Sequence, residues 1–271
     1  MPEGPEVRTV SDTLRPYLVN ATLIALLFDN KAKLISFEHL VLPATVTSVM
    51  AYGKKVIIVL SNGIYVITSL GMSGRLQFAV GKHTHIRLDF TTNMGQLFSI
   101  YFDDSRSFGN VEIIPAPQIT GYFADLGPDL LQCSLDEKTW ISLPDWLGFY
   151  KTQRPSTKAI CNMLEDQHRI AGMGWYIITE VLYYSGVHPE RQVQNITREE
   201  WDKIRISAHQ VIRLSYHYGG FTIKDYISPN GVPGTYPSAI YGKTHDPIGN
   251  LVEHKPFKSQ RTIHYVSAIQ R

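Results

Sequence analysis

The sequence predicts an α+β fold, with an antiparallel β-sandwich led by one helix and followed by a helical domain. Three observations carry this. Residues 21–115 alternate apolar and polar positions between Gly- and Asn-containing turns, the period of half-buried strands. Apolar residues before and after that block repeat at three and four, the period of an amphipathic helix. Between the two textures lies a Pro- and Gly-rich stretch at 115–128, which marks a boundary.

Taken in order, Val7, Val10, Leu14 and Leu18 place one apolar stripe on an N-terminal helix. Pro5 belongs in its first turn, where a missing N–H costs no hydrogen bond. Val56-Ile57-Ile58-Val59-Leu60 and Ile64-Tyr65-Val66-Ile67 flank Ser61-Asn62-Gly63 and read as a hairpin with an Asn-Gly turn. Ile86, Leu88 and Phe90 alternate in one run and Phe98, Ile100 and Phe102 in the next, across a Thr-Asn-Met-Gly break. Several such strands fit a sandwich. Past the boundary, Thr197-Arg198-Glu199-Glu200 is a capping box ahead of Trp201, Ile204, Ala208 and Val211 on one helix face. The helical pattern breaks around Gly219, and strand-like runs return from about Tyr236.

The chain has 271 residues, 44% hydrophobic and 18% charged, which is ordinary for a globular protein of one large domain or two modest ones. That length buries a core without disulfides or metal. A net charge of +2 neither demands nor excludes nucleic acid, because a locally basic groove suffices for binding. Cys133 and Cys161 lie far apart and outside any CxxC pair, which excludes a four-cysteine zinc site and argues against a disulfide framework. The N-terminus has two acids and no apolar core, so it is no signal peptide, and no apolar run has the length of a membrane span. A soluble intracellular protein is expected.

Pro2 is the sharpest single feature. Once Met1 is removed it offers a secondary amine with no side-chain stem to order. An α-amino group has an ordinary pKa of about 8, so much of it is neutral and nucleophilic near neutral pH. Attack of such an amine on C1′ of a deoxyribose displaces the base and leaves a Schiff base. Glu3 and Glu6 stand close in sequence to move protons. Met-Pro is also an ordinary helix start, and on these two residues alone that reading prevails.

The whole hexapeptide Met1-Pro2-Glu3-Gly4-Pro5-Glu6 resembles the N-terminus of the formamidopyrimidine-DNA glycosylase/endonuclease VIII family. Ser69-Leu70-Gly71-Met72-Ser73-Gly74-Arg75 is similar to that family's intercalation loop. Phe102-Asp103-Asp104-Ser105-Arg106-Ser107-Phe108-Gly109 is similar to its partner loop. Leu126-Gly127-Pro128-Asp129 resembles the interdomain segment. Ala171-Gly172-Met173-Gly174 through Glu180-Val181-Leu182 resembles the helix–two-turn–helix, and residues 219–226 resemble the loop that covers a flipped base. Each match alone is weak. All of them, in the family's order and at its spacing, carry the resemblance almost end to end.

The resemblance implies a sandwich half with the N-terminal helix, a helical half ending in a β-hairpin finger, and DNA in the cleft between them. Pro2 would be the nucleophile. Glu3 would protonate the sugar ring oxygen or assist base loss, with Glu6 as a second acid. Lys54 matches a lysine that contacts phosphate beside the lesion. Met72, Arg106 and Phe108 would fill the hole left by an extruded base, which offsets the few kcal/mol of unstacking. Core packing is the usual fate of a Met or Phe, but Met72 sits between glycine and serine, where a turn is expected. Arg106 could also hydrogen-bond the orphaned opposite base. Lys158 matches a lysine linked to the lesion or its phosphates, although an exposed helical Lys reads almost as well. Ser69 stands where many relatives carry a DNA-contacting His, and a hydroxyl can still donate to phosphate.

Two departures stand out. The family's Gly-Ile/Leu-Gly-Asn, whose Asn contacts DNA backbone, is here Gly172-Met173-Gly174-Trp175. Trp175 donates through one indole N–H and accepts nothing. Either backbone amides bind the phosphate or binding is weakened. The C-terminal Arg261…Tyr265-Val266-Ser267-Ala268-Ile269-Gln270 resembles the family's Arg…Tyr-Cys-x-x-Cys-Gln ending, with Val266 and Ile269 at the cysteine places. Asp246-Pro247-Ile248-Gly249-Asn250 lacks the first pair. Zinc needs thiolate or imidazole there, and His245, His254 and His264 fit no usual zinc spacing. The expectation is no metal, no cofactor, and a zincless finger as in some endonuclease VIII-like proteins. Arg261 keeps its place for bidentate phosphate contact.

The domains expected are a catalytic sandwich at 1–120, a helix–two-turn–helix domain at 121–235 and the finger at 236–271. The function expected is that of a monomeric DNA glycosylase/AP lyase of base excision repair. It would excise oxidised pyrimidines and formamidopyrimidines from double-stranded DNA and nick the strand by β,δ-elimination. The rival reading is a catalytically weak or inactive protein of the same fold that binds lesions or abasic sites.

Overall fold

The computed structural model describes residues 2–135, 156–222, 226–257 and 261–271. The chain divides into two compact units, Met1–Asp125 with Tyr218–Thr235, and Leu126–His217 with Tyr236–Arg271. Residues 218–235 thus pack with the first unit although they follow the long helix of the second.

In the first unit, α1 (Gly4–Leu18) starts at Pro5 in its first turn and buries Val7, Val10, Leu14 and Leu18 almost completely. Nine strands follow among the described residues: β1 (Thr22–Phe28), β2 (Leu34–Ile35), β3 (Ala44–Tyr52), β4 (Lys55–Leu60), β5 (Ile64–Ser69), β6 (Arg75–Gln77), β7 (Thr84–Thr91), β8 (Leu97–Asp103) and β9 (Asn110–Pro115). Their order is β2-β9-β5-β4-β3-β1-β7-β8-β6, antiparallel except for β2 against β9. Only Thr22↔Thr45 and Leu23↔Ala44 join β1 to β3, so this short seam is a corner between two halves. Inward residues from both halves, such as Val56 and Val66 on one and Leu88 and Ile100 on the other, share one core with α1.

The β4–β5 loop closes through Gly63, whose φ of +79° and N–H bond to Leu60 carbonyl suit a residue without Cβ. The unbroken apolar run of β4 is explained by burial on both faces. Outside the sheet, α2 (Ala116–Ala124) covers Ile57, Ile67 and Ile114 with Ile119, Tyr122 and Phe123. The Pro- and Gly-rich stretch therefore holds a helix, with Pro117 tolerated in its first turn.

In the second unit the described helices are α3 (Leu130–Leu135), α4 (Ile160–Glu165), α5 (Trp175–Ser185) and α6 (Arg198–His217). The capping box forms as expected. Glu200 N–H donates to Thr197 Oγ1 at 3.2 Å, and Thr197 N–H to Glu200 Oε2 at 2.8 Å. Helix α5 packs on α6 and is buried nearly all round. Its Glu180 accepts the backbone N–H groups of Ala239, Ile240 and Tyr241 at 2.6–3.0 Å. The tail forms one hairpin, β10 (Glu253–Phe257) with β11 (Arg261–Tyr265), while residues 236–252 are mostly turns rather than strands. Among the described residues no helix is long and apolar enough to cross a membrane.

Candidate functional site

Pro2 is buried directly ahead of α1. Glu3, 3% exposed, is the N-cap of that helix and Glu6 its third residue, and the two form a reciprocal capping box. Glu6 Oε2 accepts the Glu3 N–H at 2.7 Å, while Oε1 accepts the Phe221 N–H at 2.6 Å. A Cβ on Gly220, whose φ is +105°, would lie 2.7 Å from Glu6 Cγ and Oε1, so only glycine lets the 219–222 segment approach. Tyr226 donates from its hydroxyl to the Glu6 carbonyl at 3.4 Å, and burial together with the Glu6 charge pushes its phenol pKa up. The structure therefore brings Pro2, Glu3, Glu6 and the 219–222 segment into one unit. Glu6, read from sequence as a second acid, anchors that segment with Oε1 and the start of α1 with Oε2. Within the 219–226 motif, Ile223, Lys224 and Asp225 lie outside the described residues.

The loops carrying Met72, Arg106 and Phe108 are knitted around Asp104, a residue the sequence reading did not single out. Asp104 is 1% exposed. Its Oδ1 accepts from Ser73 Oγ at 2.6 Å and from Arg106 N–H at 3.2 Å, and its Oδ2 from Gly109 N–H at 2.7 Å. Gly71, with φ +62°, passes so close that a Cβ would meet Gly109 N at 2.6 Å. With backbones locked this tightly, Arg106 and Phe108 are displayed to solvent and Met72 is half-buried beside them. Phe108 is 60% exposed, and Arg106 Nη1 lies 4.0 Å from Met72 Sδ. An exposed aromatic on a rigid loop has no packing role in the free protein and suits insertion into a stack.

Lys54 follows Gly53 (φ +58°) in the two-residue turn between β3 and β4 and is partly buried. Ser69 ends β5, and its hydroxyl accepts from Lys55 Nζ at 3.0 Å. Lys55 also donates to Tyr122 Oη at 2.7 Å and Glu112 Oε1 at 3.3 Å. Tyr122 in turn donates to Glu112 at 2.7 Å, and burial first, then Glu112, raises the phenol pKa. Ser69 thus stands beside an ammonium that sequence reading missed, because Lys55 at the start of β4 reads like any lysine at a strand end.

In the second unit, the turn between α4 and α5 is braced by Gln167. Its amide donates to the carbonyls of Glu165 (2.9 Å) and Met173 (2.7 Å) and accepts the Gly172 N–H (3.0 Å). Lys158 is exposed just ahead of α4. Trp175, at the head of α5, points its indole N–H at the Thr262 carbonyl, 2.7 Å away. Arg261 heads β11, pairs with Glu165, and lies with its guanidinium 5.3 Å from the Trp175 ring centroid.

The base of the hairpin does not fit a zinc ion. Val266, 1% exposed, packs with Tyr183, Ala239, Ile240 and Val252, with Ile269 against them. Asp246 spends its oxygens on the N–H groups of Ile248 and Asn250, the Asn250 side chain and the Tyr183 hydroxyl. Among the described residues no three His, Cys, Asp or Glu side chains are grouped to hold a metal. His264 is held neutral, with its pKa pushed down to about 4 by burial and then by His254.

The profile of the formamidopyrimidine-DNA glycosylase N-terminal domain matches residues 1–111, and that of the formamidopyrimidine-DNA glycosylase H2TH domain matches residues 145–226. The formamidopyrimidine-DNA glycosylase of an Exiguobacterium species is 31% identical over the full length of both chains. The MutM (Fpg) protein of Thermus thermophilus superposes with a TM-score of 0.85 at 25% identity, covering 99% of this chain and 98% of that one. A Lactococcus lactis FPG mutant, solved in complex with a Fapy-dG containing DNA, gives 0.85 at 25% identity with both chains fully covered. By profile, by full-length identity and by fold, the chain belongs to the formamidopyrimidine-DNA glycosylase family.

Proposed function

We propose that this protein is a bifunctional DNA glycosylase and AP lyase that removes oxidised bases from double-stranded DNA, with Pro2 as nucleophile. The observation that carries the reading is the N-terminus itself: Pro2 is buried at the positive end of α1 and followed at once by the buried Glu3 and Glu6.

With Met1 removed, the Pro2 nitrogen attacks C1′, the C1′–base bond breaks, and the base leaves with a proton. Glu3 protonates the ring oxygen, and ring opening gives an iminium joining Pro2 to C1′. Loss of a C2′ proton then expels the 3′ phosphate, and a second elimination expels the 5′ phosphate. Water hydrolyses the imine and frees the amine. Met72, Arg106 and Phe108 hold the vacated duplex open, and Lys54, Ser69, Lys158 and Arg261 grip phosphates. Apolar packing, not a metal, holds the finger. The relatives' names, and the Fapy-dG bound by the Lactococcus lactis protein, favour formamidopyrimidines, with oxidised pyrimidines beside them.

Borohydride trapping on an abasic-site duplex tests this. With Met1 removal confirmed by mass spectrometry, the wild type should form a covalent adduct and Pro2→Gly should form none. Normal DNA binding by the wild type without any adduct would sink the lyase reading and leave the lesion-binding one.

A further inference from the structure

Trp175 is 8% exposed and touches both strands of the finger hairpin at one rung. Phe257 and Arg261 face each other across that rung. The indole stacks on Phe257, with centroids 6.0 Å apart and planes 28° apart. Its N–H donates to the Thr262 carbonyl at 2.7 Å, and its face lies 5.3 Å from the Arg261 guanidinium. On the other side Arg261 pairs with Glu165, whose own carbonyl is pinned by Gln167. Arg261 and Glu165 remain 30% and 28% exposed, so an anion from solvent can reach the pair.

We propose that Trp175 is a positioning residue that preorganises Arg261 for a DNA phosphate, and that Glu165 is a resident counter-charge that the phosphate displaces. This rests on reading Arg261 as a phosphate contact. A free arginine loses much rotamer freedom when it binds an anion, and an aromatic ring already held against the guanidinium lowers that cost. The guanidinium has five donors in its plane, and Glu165 occupies only one of them, at Nη1, so a bidentate phosphate can be accommodated once that pair opens. Glu165 presents the same charge as the phosphate and competes for the same edge. Trp175 therefore strengthens the DNA grip and Glu165 weakens it, although both touch the same side chain in the free protein.

The test is fluorescence anisotropy on a labelled duplex containing a tetrahydrofuran site, with thermal melts run alongside. Trp175→Ala should weaken binding about tenfold, and Trp175→Phe, which keeps a ring but loses the N–H bond, about threefold. Glu165→Gln should tighten binding about threefold, with a gain that shrinks as salt rises. In an Arg261→Gln background the effects of Trp175→Phe and Glu165→Gln should both vanish, because they act through one side chain. Additive effects in that background, or weaker binding by Glu165→Gln, would overturn the proposal while leaving borohydride trapping intact. A wild type that fails to bind the duplex at all would overturn both readings.

Discussion

Asp104 carries no chemistry of its own, yet its two oxygens collect Ser73, Arg106 and Gly109 from the loops that display Met72, Arg106 and Phe108. A buried carboxylate is costly unless each lone pair is used, and here the donors compensate it. Asp104→Ala strands the Ser73 hydroxyl and the Gly109 N–H, while the Arg106 N–H keeps Ser73 Oγ at 3.2 Å. Each buried donor left unsatisfied costs about 1–3 kcal/mol, so with two stranded the variant should lose about 2–6 kcal/mol of stability in urea. Its affinity for a lesion duplex should fall further than stability alone requires, because the side chains proposed to fill the void lose their fixed mount. A loss under roughly 0.5 kcal/mol would show that the loops hold without this hub. Glu6 teaches a related lesson. Its motif suggested a proton carrier, and nothing in the linear order shows that its second oxygen reaches Phe221, 215 residues away.

Elements with a strong period were legible in sequence, as with α1, the β4–β5 hairpin and the capped α6. Those held by distant side chains were not. Helix α2 hides in a Pro- and Gly-rich stretch because it is fixed by aromatic packing on the outer sheet face rather than by propensity. Residues 236–252 read as strands, but Glu180 and Asp246 bind their backbone N–H groups and hold turns instead. The finger hairpin carries a pH prediction. His254 and His264 sit opposite each other on β10 and β11, with ring centroids 4.6 Å apart, and His264 is held down to about pKa 4 from an ordinary value of 6.5. The folded hairpin thus favours neutral His264, while the unfolded chain takes up its proton first as pH falls. The stabilisation is fully present above about pH 6.5 and is lost progressively toward pH 4. Amide hydrogen exchange of β10 and β11 should accelerate across that window relative to α5, after correction for intrinsic rates. His264→Phe should remove the dependence. Exchange in the hairpin that stays level with α5 down to pH 4 would show that His264 does not govern it.

At the scale of the molecule, the ordered motifs made the family legible while the pairing of segments was not. Residues 218–235 return to the first unit, and Trp175 meets Thr262 across 87 residues. Charge is the other whole-molecule property, and a net value of +2 gives no general pull toward DNA. Affinity must then come from a few placed cations, of which Lys54, Lys158 and Arg261 are the candidate phosphate contacts. Each phosphate neutralised on duplex DNA releases about 0.9 counterions, so three contacts give a slope of about −3 in log affinity against log salt. Binding to a tetrahydrofuran duplex should therefore weaken roughly 40-fold between 50 and 200 mM salt. Arg261→Gln should flatten the slope by about one unit and lower affinity evenly across duplex sequences. A slope of about −1 or shallower in the wild type would mean that stacking and void-filling by Met72, Arg106 and Phe108 carry the binding and that the three cations are bystanders.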